Sequence, residues 1–241
     1  MARILAHAHT DWSHDGTFTL ADWVPMARRI GCDTVLLSEH EETGWTPGRY
    51  ADYVKACAEA STAEVRLVPG IEFSQDGFHV LCYGLREFPA RPSTPEQLAA
   101  AVHAQGRWLC LAHPGKYGWR HPARLLAAVD AVEVWNSKWI YDGRLGPHPR
   151  SLAMAGGKAL LVGQDVHKEK HFSQLFIETA GVDALAEILS GRYDITFGDR
   201  RWPPAAIPSG FFAGLAQRCR TRILKHALAA YRRTRSLLGR N

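Results

Sequence analysis

The sequence predicts an α/β fold with parallel strands and helices outside them, either an α/β barrel or a doubly wound sheet. Two observations carry that prediction. Short β-branched or Leu-rich runs alternate with longer amphipathic ones along most of the chain, with no internal repeat and no Gly/Ser linker to interrupt the rhythm. The chain also holds 12 histidines, many of them at the ends of apolar runs, where strands of such a fold open onto one face. With 241 residues, 46% of them hydrophobic and 22% charged, the composition is that of a globular chain and excludes disorder, a collagen-like repeat and a disulfide miniprotein.

Each element has a local reason. A strand over 3–8 opens the chain, and Thr19 can cap a helix over 20–30 that Gly31 stops. A strand over 34–37 follows, then a helix over 47–60 with Pro47 in its first turn, then a strand over 65–68. Residues 78–83 read as a strand, 95–105 as a helix capped by Thr94, and 108–112 as a strand. The rest reads as a helix over 123–129, a strand over 131–135, a short helix over 151–155, strands over 160–162 and 175–178, and a helix over 184–189. A Pro-rich stretch after Arg201 is the candidate boundary between a body over 1–200 and a tail over 201–241. In that tail Phe212, Leu215, Cys219, Ile223, Ala227 and Tyr231 recur at steps of three and four, which predicts an amphipathic helix with arginine on its other face.

Charge divides at the same place. Residues 1–199 carry 19 Lys+Arg against 24 Asp+Glu, whereas residues 200–241 carry 10 Lys+Arg and no acid, so the tail supplies the whole excess behind the net charge of +5. The five cysteines, Cys32, Cys57, Cys82, Cys110 and Cys219, have no tight spacing, and four lie in apolar runs. They read as buried hydrophobes of a reducing compartment, and with no apolar leader and no run near the roughly 18 residues a membrane span needs, a cytoplasmic protein is expected.

The chemistry lies at the predicted strand ends. His7-Ala-His9 follows the first strand, Glu39-His40 the second and Glu72 the third; His79 lies beside the next, His113 follows 108–112, and Asp165-Val-His167 follows 160–162. Residues i and i+2 of an extended segment point the same way, so His-x-His and Asp-x-His each offer two ligands to one site. Imidazole and carboxylate without thiolate suit Zn, Mn or Fe, and the surplus of ligands calls for two or three ions sharing a carboxylate. His14, His103, His121, His148, His171 and His226 read as ordinary hydrogen-bonded residues.

Taken together, His7-Ala-His9-Thr10, Ser13-His14-Asp15-Gly16, Ser38-Glu39-His40, Pro69-Gly70-Ile71-Glu72, His79 in Phe-His-Val-Leu-Cys-Tyr-Gly, Ala112-His113-Pro114 and Gly163-Gln164-Asp165-Val166-His167 resemble the PHP (polymerase and histidinol phosphatase) superfamily, in its motif order, over residues 7–167. The resemblance implies a distorted seven-stranded (β/α) barrel, (β/α)7, with the metal site at the C-terminal strand ends and two or three divalent transition metals, Mn, Fe or Zn. It implies His7, His9, Glu72 and Asp165 around one ion. Glu72 would bridge to a second held by His79 and His113, and Asp15, His40 and His167 would hold a third. Two motifs depart from the family: Ser38-Glu39-His40 replaces Thr-Asp-His, and Gly-Gln-Asp-Val-His replaces Gly-Ser-Asp-x-His with both ligands kept.

Function follows from that chemistry. Metal coordination lowers the pKa of bound water toward roughly 7, so a metal-bridging hydroxide is the expected nucleophile on phosphorus. Asp165, His40, His167 and Glu39 are the catalytic candidates; the leaving group takes its proton either from water on the third metal or, if that third site is empty, from His40 or His167, and Glu39 either orients a metal-bound water or makes a contact behind the ligands. Lys116, Asn136, Lys138, Arg200 and Arg201 are candidate phosphate-binding residues. Trp12, Trp45, Trp119 and Trp139 either stack on a substrate ring or pack over the mouth. The spacing from His40 to Glu72 and from His79 to His113 leaves room for one helix and one strand each, so the mouth is expected to be open. The expected activity is a phosphoesterase, phosphatase or phosphodiesterase, acting on a small phosphorylated metabolite or nucleotide. A 3′-end exonuclease gripping nucleic acid through the basic tail is the alternative, disfavoured by the acidic body; a non-catalytic binding module is the other, disfavoured by the full ligand set. The sequence leaves the oligomeric state open.

Overall fold

β1 (Ala2–Ala8) runs through the centre of the molecule, fully buried from its third residue because Ile4, Leu5, Ala6 and Ala8 face apolar neighbours on both sides. The computed structural model describes residues 1–209 except 90, 91, 139, 144, 145 and 182. After β1 come α1 (Leu20–Arg29), β2 (Thr34–Leu37), β3 (Glu39–His40), α2 (Pro47–Ala60), β4 (Arg66–Val68), β5 (Gly70–Gln75) and β6 (Phe78–Tyr83). Then follow α3 (Pro95–His103), β7 (Leu109–Leu111), α4 (Ala123–Ala128), β8 (Ala131–Asn136), α5 (Pro149–Ala155), β9 (Ala159–Gly163), β10 (Leu175–Thr179), α6 (Ala184–Leu189), β11 (Tyr193–Phe197) and β12 (Arg200–Trp202).

The helix starts are where side-chain oxygens can meet the orphan amides of a first turn. Thr19 accepts from Asp22 N while Asp22 accepts from Thr19 N at 2.8 Å, a reciprocal capping box, and Thr46 and Thr94 cap α2 and α3. α1 turns Leu20, Trp23 and Ala27 inward, and the buried Trp23 indole donates to His9 O at 3.2 Å, tying a core residue to the loop after β1. The largest fully buried side chains are Trp23, Tyr50, Tyr53, Tyr83 and Phe73, each apolar body worth roughly 1.5–3 kcal/mol of burial. Cys32, Cys57, Cys82 and Cys110 are buried free thiols. No helix among the described residues is long and apolar enough to cross a membrane.

The strands pair as two mixed six-stranded sheets, β12-β11-β10-β1-β2-β4 and β3-β5-β6-β7-β8-β9, and not as one parallel seven-stranded barrel. Parallel pairing holds for β1 with β2, β2 with β4, β3 with β5, β7 with β8 and β8 with β9. The others are antiparallel, for local reasons. β5 and β6 are joined by Asp76-Gly77, both at positive φ (54° and 80°), the hairpin turn whose twist matches the strands it links. β11 turns into β12 through Gly198 at φ 60°. Single residues, Ser38 and Pro69, separate β2 from β3 and β4 from β5, so two chain segments cross from one sheet to the other. Residues beyond β9 hydrogen-bond back to β1: Gln164 N donates to Ala6 O at 3.0 Å, and Val166 N to His7 O at 3.0 Å. β3, β5, β11 and β12 are strands without a sequence expectation, and the boundary expected after residue 200 falls inside β12. The expected C-terminal helix, with Phe212 to Tyr231, lies outside the described residues.

Candidate metal centre

Where the two sheets meet, all nine predicted ligands come into one contiguous cluster. Glu72, in β5 and 2% exposed, is its hub. Its Oε1 faces His79 Nδ1 at hydrogen-bonding range, His113 Nε2 at 3.0 Å and His7 Nε2 at 3.7 Å; its Oε2 faces His40 Nδ1 at 3.1 Å and His9 Nε2 at 3.7 Å. Asp165 Oδ1 lies 3.7 Å from His7 Nε2, 3.5 Å from His9 Nε2 and 3.2 Å from His167 Nδ1. Asp15, 44% exposed, closes the outer side, with His40 Nε2 at 3.3 Å and His167 Nε2 at 3.2 Å. Four triads have ligand atoms within 4.8 Å of one another: His7, His9 and Asp165; His7, Glu72 and His113; His40, Glu72 and His79; His9, His40 and His167. His7, His9, His40 and Glu72 are each shared between two triads, so the donor set is that of a polynuclear divalent site.

Burial alone would push the Glu72 and Asp165 carboxyls up, but their neighbours reverse it: charge on His7 and hydrogen bonds from His113 and His40 hold Glu72, and charge on His7, a hydrogen bond from His9 and charge on Lys138 hold Asp165, well below the usual carboxylate range. Burial likewise opposes charge on His40, yet Asp15 and Glu72 raise it to about 10. On His9 burial wins over Asp165 and Glu72, because His167 and His40 also oppose a charge there, and its pKa is driven down to about 3.

The backbone at the site is bent to serve it. Strand periodicity predicts that His7 and His9 point alike, but β1 carries an irregularity between Ala6 and Ala8, with His7 at φ 63°. His113 (φ 27°) and Asp165 (φ 52°) are also left-handed. Such conformations cost roughly 1–3 kcal/mol each outside glycine and concentrate at functional sites.

The substrate-binding candidates separate. Lys138, 14% exposed, reaches the cluster, its Nζ donating to Asp165 Oδ2 at 2.9 Å and lying 3.5 Å from His167 Nδ1. Lys116 is exposed in the turn after His113, 5.4 Å from the Tyr117 ring. Three expectations are corrected. Asn136 is fully buried and turned into the protein: its Nδ2 donates to Glu133 Oε2 at 3.0 Å and its Oδ1 accepts from Lys138 N at 3.0 Å, so its amide is not presented to a phosphate. Arg201 pairs with Glu178 and Asp194, toward the N-terminal end of β1. Arg200 sits on edge strand β12, three strands from β1 and so about 14 Å away at sheet spacing.

Glu39 is also used internally. Its buried carboxylate accepts from Thr10 N at 3.1 Å, Thr10 Oγ1 at 2.9 Å, Ser13 Oγ at 2.5 Å and Tyr53 OH at 3.3 Å, so it struts the 10–13 loop. Trp12 and Trp45 stack on each other at 5.9 Å under Arg49, and Trp119 stacks on His148 at 4.0 Å, so these rings pack on protein; Trp139 lies outside the described residues. Of the histidines read as ordinary, His103 pairs with Asp130 at 2.8 Å, His148 Nδ1 accepts from Arg150 N, and His171 Nδ1 accepts from His167 N at 3.1 Å. His121 packs on Phe78 at 4.7 Å, His14 lies 5.2 Å from the His40 ring, and His226 lies outside the described residues.

No family model and no curated protein matches the chain. Solved structures do. The chain shares its fold with an amidohydrolase from Chromobacterium violaceum. The two are 14% identical, with a TM-score of 0.53, over 79% of this chain and 96% of that one, whose structure holds sulfate and no metal. A candidate metal-dependent phosphoesterase from Bifidobacterium adolescentis matches 69% of this chain and 88% of its own at 16% identity and a TM-score of 0.49.

Whether the residues fit metal ions is decided by their unpaired atoms. His7 Nε2 and His9 Nε2 are buried with no hydrogen-bond partner, and both face Glu72 and Asp165 oxygens at 3.5–3.7 Å. That is too long for a hydrogen bond, but close to the roughly 3.4 Å between tetrahedral ligands of an ion with bonds near 2.1 Å. The residues fit.

Two acids near the cluster carry no sequence expectation. Glu133, in β8, is fully buried, with Oε1 2.8 Å from His7 Nδ1 and Oε2 accepting from His113 N at 2.7 Å. An acid inside Ala-Val-Glu-Val-Trp was the available signal. Asp142 accepts from Asn136 N at 2.9 Å through Oδ2, while its Oδ1 has no partner; burial raises its pKa to about 7. Above its ordinary 3.8 the unfolded chain releases this proton while the folded one keeps it to about 7, so Asp142 erodes stability as pH rises through that window. Asp142→Asn keeps the acceptor for Asn136, so urea midpoints at pH 5 and pH 8 are expected to move in its favour at the higher pH. An unchanged difference from the unsubstituted protein at both pH values would contradict this.

Proposed function

We propose that the chain is a metal-dependent phosphoesterase acting on a small phosphorylated compound. The observation that carries this reading is Lys138: an ammonium 2.9 Å from Asp165, on the wall of a cluster whose imidazoles present orphaned nitrogens inward. In this reading His7, His9 and Asp165 would hold one ion, Glu72 with His79 and His113 a second, and Asp15, His40 and His167 a third. Bound divalent ions, Zn, Mn or Fe, would supply Lewis acidity toward a phosphoryl oxygen and water acidified to near neutral pKa. The bonds from Gln164 and Val166 back to β1 bring the Asp165–His167 segment beside His7 and His9.

The chain's own groups do the rest. Lys138 neutralises one Asp165 oxygen and leaves an ammonium to meet a non-bridging phosphoryl oxygen; Lys116, just after His113, can meet the same anion from the exposed side. With only two ions bound, His40 and His167, their Nε2 atoms 3.3 Å apart and both against Asp15, lie where a proton can be handed to a leaving oxygen. Glu39 acts through Thr10 and Ser13, holding the loop that carries His9 into Asp15. The fold neighbour's name brings an amide substrate into the comparison, and Lys138 is what favours an anionic ester over it.

Turnover of a chromogenic phosphate monoester, a phosphate diester and a neutral carboxylic ester, with metal content measured by mass spectrometry, tests the reading. Lys138→Met is expected to lower kcat/KM on the preferred phosphate ester by on the order of 10²-fold, the cost of removing one charge-stabilising donor, and to leave turnover of the neutral ester within a few-fold. Fewer than about one divalent ion per chain after growth in metal-replete medium sinks the reading, as does equal loss on both ester classes.

A further inference from the structure

Neither ring of His7 and His113 is held in place by strand geometry, since both residues sit at positive φ, where a side chain's direction is not set by the pleat. One residue touches both. Glu133 Oε1 lies 2.8 Å from His7 Nδ1, and Glu133 Oε2 accepts from the His113 backbone N–H at 2.7 Å. We infer that Glu133 is the positioning residue of this metal centre, fixing His7 with its proton on Nδ1 and its lone pair on Nε2, and clamping the left-handed backbone that aims His113 at Glu72. The inference rests on the metal-centre reading above.

A carboxylate only accepts, so the ring nitrogen beside it must carry the proton, and the lone pair of a neutral imidazole is left on the other nitrogen. That other nitrogen, His7 Nε2, is the one buried without a partner between Glu72 and Asp165. His9 shows the contrast: its Nδ1 meets only Ser13 Oγ, at 3.4 Å. Glu133 is itself fixed. Asn136 Nδ2 donates to Oε2 at 3.0 Å, and Asn136 is anchored by its N–H on Asp142.

Space for this bond exists because residue 163 has no side chain. A Cβ on Gly163 would stand 2.0 Å from Glu133 Oε1 and 2.8 Å from His7 Cβ, so any larger residue in β9 would close the passage from β8 to β1. The route of the carboxylate is therefore built by three strands. A buried acid in a β-strand with apolar neighbours needs such a purpose, because an unpaired carboxylate there is costly.

Glu133→Gln keeps the shape but loses an acceptor, since one amide cannot accept from both His7 and His113. The expected result is a roughly 10–100-fold weaker zinc affinity by competition with a chromophoric chelator, measured on variant protein that circular dichroism shows to be folded. A second measurement needs no variant. In the zinc-loaded unsubstituted protein, ring ¹⁵N shifts of His7, assigned through His7→Gln, are expected to show metal on Nε2 and a proton on Nδ1. Equal zinc affinity in Glu133→Gln, or His7 bound through Nδ1, overturns the inference while leaving the metal centre standing. Failure of the unsubstituted protein to bind zinc overturns the metal centre itself, and the inference with it.

Discussion

Glu72→Gln is expected to lower phosphoesterase kcat/KM by about 10³-fold and to strip divalent metal from the protein. Both Glu72 oxygens face imidazole nitrogens, His7, His79 and His113 on one and His9 and His40 on the other, so both are required. Glutamine keeps one acceptor and turns the other position into a donor, which points hydrogens at nitrogens meant to present lone pairs. The charge stabilisation available from a bound divalent ion is several kcal/mol, and each 1.36 kcal/mol is tenfold in rate, which gives the expected loss. Because the ligands act as a unit, Asp165→Asn and His113→Ala are expected to lose comparable amounts, and combining them with Glu72→Gln to add little. Steady-state kinetics beside mass-spectrometric metal counts check this. Turnover within tenfold of the unsubstituted enzyme would remove Glu72 from the centre of the chemistry.

Gly70→Ala is expected to destabilise the fold by about 3 kcal/mol, a fall in Tm of about 6–12 °C for a chain of this size. Gly70 begins β5 directly after Pro69, where the segment leaves one sheet for the other. A Cβ there would stand 2.2 Å from Leu37 O, 2.7 Å from Tyr83 Cδ1 and 2.8 Å from Cys82 O. Two of these atoms are backbone carbonyls of β2 and β6, so relief requires moving strands and not a side chain. Glu72 lies two residues along the same strand, so the residual folded protein is expected to lose activity as well. Thermal melts followed by circular dichroism check the stability part, and a Tm unchanged within about 2 °C would show that the strands have slack.

Much of this centre was legible without coordinates, because His-x-His, His79, His113 and Asp-x-His fall near the ends of strands that hydrophobic runs reveal, and Glu72 follows another such run although it lies inside β5. Where reading failed, the missing information was in each case non-local. Asp76-Gly77 is a strong hairpin signal, yet the run after Pro69 gave no strand, since Pro-Gly also marks a turn; Gly70 is there because two other strands crowd it. Asn136 carries a phosphate-binding type of side chain at a strand end, and only its contacts with Glu133 and Lys138 reveal that it is already used. Arg201 follows the last expected strand, but β12 folds back antiparallel and takes it to Glu178.

What the sequence by itself determined is the chemical inventory: an α/β alternation, nine imidazole and carboxylate groups in order, and an acidic body whose carboxylates have cations to meet. Those follow from residue type and short-range periodicity, which any chain segment carries alone. Only the tertiary structure decided which nitrogens are left unpaired, that Lys138 among five candidates reaches Asp165, and that Glu133 passes over Gly163 to hold His7. These depend on distances of a few ångströms between strands far apart in the chain. Hydrogen bonds and ion coordination are sensitive to tenths of an ångström, and no local pattern encodes that.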